Sequence, residues 1–88
     1  MQSNPPNDAH VLALNALAAT LADQRLAERF LSLSGFTPPD LKQRAGDPAF
    51  LADFLRFLEG HEPDLLDIAN RISVAPADLV IAHHVLES

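Results

Sequence analysis

The 88-residue chain contains no cysteine, tryptophan or tyrosine and only three glycines. Without cysteine it has no disulfide framework, no thiolate nucleophile and no sulfur ligand for zinc, a composition suited to a reducing compartment, so cytoplasmic localisation is expected. With Trp and Tyr missing, two of the three side chains that most often anchor tight interfaces are absent, and the five phenylalanines are expected to build core. Basic residues are scarce as well. Six Lys and Arg stand against twelve Asp and Glu, a formal net charge of −6 that repels phosphate backbones and disfavours nucleic acid as a partner. No apolar run approaches the roughly 20 residues a bilayer span requires. The longest candidate, residues 11–22, is interrupted by Asn15 and Thr20 and stops before Asp23. The first seven residues have no basic side chain to open a signal peptide, so no membrane association is expected.

What is present is adequate for folding. At 48% hydrophobic and 20% charged, the chain lies among ordinary globular domains. A protein of 9.5 kDa should expose roughly 5,000 Å² when folded against about 14,000 Å² unfolded, burying about 63%, near the lower limit for a self-sufficient core. Residues 1–7, polar with two prolines, read as a mobile tail, and residues 8–88 as a single helical domain.

Between closely spaced Gly and Pro residues, apolar side chains recur three and four apart, with no sustained alternation of β-branched residues. The pattern predicts an all-α bundle of five or six short helices. A first helix is expected from about Asp8 to Ala22, with Val11, Leu14, Leu17, Ala18 and Leu21 on its apolar side. The opposite side, Ala13, Ala16 and Ala19, is small enough for another helix to approach closely. A second helix over 24–34 ends at Gly35. Thr37-Pro38-Pro39-Asp40 then opens a short helix with a threonine cap and an acidic residue three positions on. Asp47-Pro48 repeats that signal before a helix to Glu59 whose Phe50, Leu51, Phe54, Leu55, Phe57 and Leu58 fill an arc of about 160°. Pro63 begins a helix striped by Leu65, Leu66, Ile68, Ala69 and Ile72, and Pro76 opens a last helix over 77–86 that is apolar in several directions.

Thr37-Pro38-Pro39-Asp40-Leu41 and Ala75-Pro76-Ala77-Asp78-Leu79 share a frame 38 positions apart. At the same shift Phe30 meets Ile68 and Phe36 meets Val74, which suggests two similar three-helix halves. The succession Ala13-Leu14-Asn15-Ala16-Leu17, Arg29-Phe30-Leu31-Ser32-Leu33-Ser34-Gly35, Pro39-Asp40-Leu41, Asp47-Pro48-Ala49-Phe50-Leu51 and Phe54-Leu55 resembles a family of short alphaproteobacterial proteins of unknown function. That resemblance covers nearly everything after residue 8. It implies a small helical fold and no activity, cofactor or site residue.

Candidate chemistry is thin. Among the histidines His10, His61, His83 and His84, His83 lies four residues from Glu87 on one helical face, but no H-E-x-x-H accompanies it. Asp40, Asp47, Asp64 and Asp78 sit at helix starts, where a carboxylate favours exposed amides. Ser32, Ser34 and Ser73 lack a nucleophile setting. Neither enzyme activity nor a metal or cofactor is therefore expected. The expected function is a protein-protein interaction or regulatory adaptor module. Its candidate surface is the last helix, at Leu79, Val80, Ile81, His84 and Val85, docking a protein partner or a second copy. The alternative is a helix-turn-helix-like nucleic-acid binder using Lys42 and Arg44, with Arg25 and Arg29 nearby.

Overall fold

A computed structural model describes residues 5–88, with side chains from residue 9 onward. Residues 1–4 of the expected tail lie outside the described residues. Six helices follow one another: α1 (Pro5–Ala22), α2 (Gln24–Ser34), α3 (Pro38–Arg44), α4 (Pro48–Glu59), α5 (Glu62–Arg71) and α6 (Pro76–Glu87). The accessible surface of 5045 Å² is that of a compact chain of this mass.

Local chemistry sets most boundaries. The Asp23 carboxylate accepts the Leu26 N–H at 3.2 Å and starts α2, and that of Asp47 accepts the Ala49 N–H at 3.0 Å and starts α4. At α3 a full capping box forms, with Thr37 Oγ1 accepting the Asp40 N–H and Asp40 Oδ2 accepting the Thr37 N–H at 2.9 Å. At α6 only half of it survives, because Ala75 has no hydroxyl; its N–H still donates to Asp78 Oδ2 at 3.0 Å. α1 begins three residues ahead of the expected Asp8.

The helices preceding α3 and α6 end alike. Gly35 (φ 77°) and Ser73 (φ 61°), thirty-eight positions apart, are the positive-φ residues among those described. Gly35 donates its N–H to the Leu31 carbonyl, a single left-handed cap. At Ser73 the Val74 N–H reaches Ala69 O and the Ser73 N–H reaches Asn70 O, the two bonds of a Schellman motif. The second half therefore places a serine where the left-handed backbone favours glycine.

The core collects around α4, whose Phe50, Leu51, Phe54, Leu55 and Leu58 are buried. The last helix lies against both α1 and α4, and these are the most extensive helix pairings in the fold. On α1 the expectation is corrected: Ala9, Ala13, Ala16, Leu17 and Thr20 form the buried face, whereas Val11 is 55% exposed and Leu21 also reaches solvent. Small side chains let α6 come close along that face, and a helix that is apolar all round turns whichever side its neighbour fits. The Thr20 hydroxyl donates to the Ala16 carbonyl at 2.9 Å, so its burial leaves no orphaned group.

Candidate functional site

The backbones of α2 and α4 hardly meet. Phenylalanine rings fill the gap. Phe30 meets Phe54 edge-on at 5.4 Å between centroids and lies tilted against Phe57 at 5.0 Å and Phe50 at 6.2 Å, while Phe36 meets Phe50 edge-on at 5.4 Å. These rings hold the two helices apart and leave an open trough above themselves. One end is a recess of about 320 Å³ among Phe30, Phe36, Phe50 and Phe57, with Asp53 and Ser34 on its edge. The other, about 460 Å³, is bordered by Arg29, Arg56, Gly60 and His61. Leu33 and Phe57 line both recesses, so the two lie side by side. Phe57 is half-buried and Leu33 is 71% exposed.

The cationic end is braced from beneath. Asp64 is buried, its side chain only 4% exposed, and takes Arg29 on Oδ2, His61 Nδ1 on the same oxygen at 2.9 Å and Arg25 on Oδ1 at 4.0 Å. One carboxylate thus serves two guanidiniums and an imidazole. The Arg29 guanidinium also lies 5.4 Å from the Phe57 ring centroid, a cation–π contact that fixes it at the wall of the trough. Farther along, Arg71 joins Asp23 at 2.9 Å and Asp67 at 3.1 Å, a second tie between α2 and α5. The Leu26 N–H and then Arg71 hold the Asp23 carboxyl below its usual range.

The C-terminal half of α6 carries a separate network. His83 is buried, with Nδ1 2.8 Å from Glu59 Oε2 and Nε2 3.0 Å from Glu87 Oε2, the latter approach lying off the line of a hydrogen bond. A neutral imidazole has one N–H, so only the imidazolium offers a proton to each carboxylate. Arg56 pairs with Glu87 at 2.6 Å, and it, with His83 adding, pulls the Glu87 carboxyl below its ordinary value. The His83 and His84 rings stand parallel at 5.5 Å. Glu59 and Glu87 approach different nitrogens of His83, and among the described residues no three His, Asp or Glu side chains are grouped to hold a metal ion.

The residues expected to form an interaction surface separate. Leu79 is fully buried in the core, Val80 and Val85 are half-buried, and only Ile81, at 59%, and His84 are exposed. Lys42 and Arg44 are exposed on α3, with Arg44 over the Phe36 ring at 5.2 Å. Arg29, Leu33, Phe57 and His61 line the larger recess of the trough. The one hint in the sequence was position: on a helical wheel Phe57 and Leu33 fall at the edges of their apolar arcs, where a neighbour must be wide to cover them. Asp64, expected at a helix start, is there, but as a buried ion-pair partner.

The chain belongs to the family described as Protein of unknown function (DUF3572), whose model matches residues 6–88. No curated protein and no solved structure matches it. The membership agrees with the resemblance to an uncharacterised family and carries no activity to transfer. No described helix is long and apolar enough to cross a membrane.

Proposed function

We propose that this chain is a non-catalytic, cytoplasmic protein-interaction module that docks its partner in the trough between α2 and α4. The observation that carries the reading is Leu33, 71% exposed beside half-buried Phe57 at the lip of an aromatic trough. Covering a leucine or phenylalanine side chain fully is worth about 1.5–3 kcal/mol, so a partner seated there gains a few kcal/mol from these two residues. Capture from the native host with wild type, Leu33→Asp and Ile81→Asp as bait tests it. Loss of the same protein from the Leu33→Asp bait alone, with its melting temperature unchanged, supports docking in the trough. Loss from the Ile81→Asp bait alone transfers the function to the last helix, where light scattering checks self-association.

The nucleic-acid alternative rests on Lys42 and Arg44, the cations among the described residues with no carboxylate within 4 Å. Two phosphate contacts give a salt slope of only about −1.8. A duplex mobility shift abolished by Lys42→Gln with Arg44→Gln is the result that favours it.

A further inference from the structure

We infer that the occupant of the trough is an amphipathic helix of a partner protein, presenting an apolar stripe with aspartate or glutamate beside it. The inference rests on the interaction reading above and adds the chemistry of the partner. A trough between two helices offers walls that can receive a third helix, whose i, i+3 or i+4, and i+7 side chains enter the recesses. Recesses of about 320 and about 460 Å³ in sequence take successive apolar anchors along one such stripe.

Charge selects the acid. Every ionisable side chain bordering the larger recess is a base: Arg29, Arg56 and His61. Arg29 and His61 share the single buried carboxylate Asp64 with Arg25, and Asp64 does not line the recess. Arg29 lines the recess, and with Arg25 beside it the cluster holds two guanidiniums against one carboxylate. Arg56 is matched by Glu87 at 2.6 Å and by Asp53 at 3.8 Å, so the unmatched charge belongs to the Asp64 cluster. The net charge of −6 opposes an acidic partner at long range. At physiological salt, however, the screening length is about 8 Å, and groups in contact decide. At the other recess Asp53 stands on the edge, so the acidic residues belong at the Arg29 and His61 end.

The test uses the full chain and three fluorescein-labelled helical peptides of about 16 residues, identical in their leucine stripe, with flanking positions all glutamate, all glutamine or all lysine. Fluorescence anisotropy gives each dissociation constant. One unmatched guanidinium charge predicts that the glutamate peptide binds roughly two- to fivefold tighter than the glutamine peptide, with lysine weakest, and that the margin shrinks at high salt. Leu33→Asp should abolish binding of all three. Arg25→Gln, an exposed position whose loss leaves Arg29 matched one to one with Asp64, should bring the glutamate peptide close to the glutamine one. Equal or tighter binding of the glutamine or lysine peptide overturns the acidic inference and leaves docking in the trough intact. Absence of binding by any peptide, or binding indifferent to Leu33→Asp, overturns both.

Discussion

Positions 13, 16, 17 and 20 on α1 and positions 51, 54, 55 and 58 on α4 correspond at a shift of thirty-eight, and all eight are buried. On α1 they are Ala, Ala, Leu and Thr; on α4 they are Leu, Phe, Leu and Leu. The same helical plan has been filled with small side chains in one half and large ones in the other. Small residues let α6 lie close against α1. Large ones make α4 the centre of the core, packed on α6 as extensively as α1 is, while α2 meets α4 through the Phe30 ring and the trough is lined by Phe50 and Phe57 on the neighbouring face. The third helices diverge too. α6 is twelve residues long and wedges between α1 and α4, whereas α3 has seven residues and reaches the core through buried Leu41, with Phe36 set against Phe50. Caps, left-handed turns and burial repeat between the halves; the tertiary contacts do not.

Substitutions that exchange the two halves' side chains test that comparison, and the largest effect is expected at Phe54. Phe54→Ala should cost about 3–5 kcal/mol in urea unfolding, because a fully buried ring leaves a cavity. Its counterpart Ala16→Leu, which places bulk in the close α1–α6 interface, should cost about 1–3 kcal/mol. If Ala16→Leu proves neutral, the small face is not what sets that approach. Next comes Arg29→Gln, which removes the nearest counter-charge of a buried carboxylate. About 2 kcal/mol is expected, below the 3–5 kcal/mol typical of a broken buried pair, because His61 and Arg25 still serve Asp64.

The left-handed turns provide a matched pair of smaller changes. Ser73→Gly should stabilise the fold by up to about 1 kcal/mol, and Gly35→Ala should destabilise it by about the same amount. No side chain crowds a Cβ at Gly35, so the cost there is backbone strain alone. Thermal melts of both variants check the two signs together.

The smallest effect is pH-dependent. Glu87 is held below its ordinary 4.5 chiefly by Arg56. Asp40 is held below 3.8 by the backbone N–H and the hydroxyl of Thr37. Such groups ionise more readily folded than unfolded. Their contribution is therefore present above the unfolded carboxylate range and is lost as pH falls through the lowered folded values. Melting temperature should hold steady down to about pH 5 and then decline, and Glu87→Gln should make the decline shallower.

Much of the fold was legible because its signals are local. Thr37, Asp40 and Asp47 cap where their chemistry requires, Gly35 ends α2, and the arc of α4 is buried as its periodicity predicts, apart from Phe57. The buried face of α1 was not legible, because Val11 and Leu21 are as apolar as Leu17 and only the fit to α6 chooses between them. The trough escaped for a similar reason. Phe57 and Leu33 look like core within their own helices, and their exposure depends on how far Phe30 props α2 from α4, a distance no periodicity encodes.

The trough as the place where a partner docks is tested most directly by site-resolved photo-crosslinking in the living host, with a photoreactive amino acid placed at position 33 in one protein and at position 81 in another. A discrete crosslinked partner from position 33 and none from position 81 is the expected result. A partner captured from position 81 with position 33 silent would contradict the account.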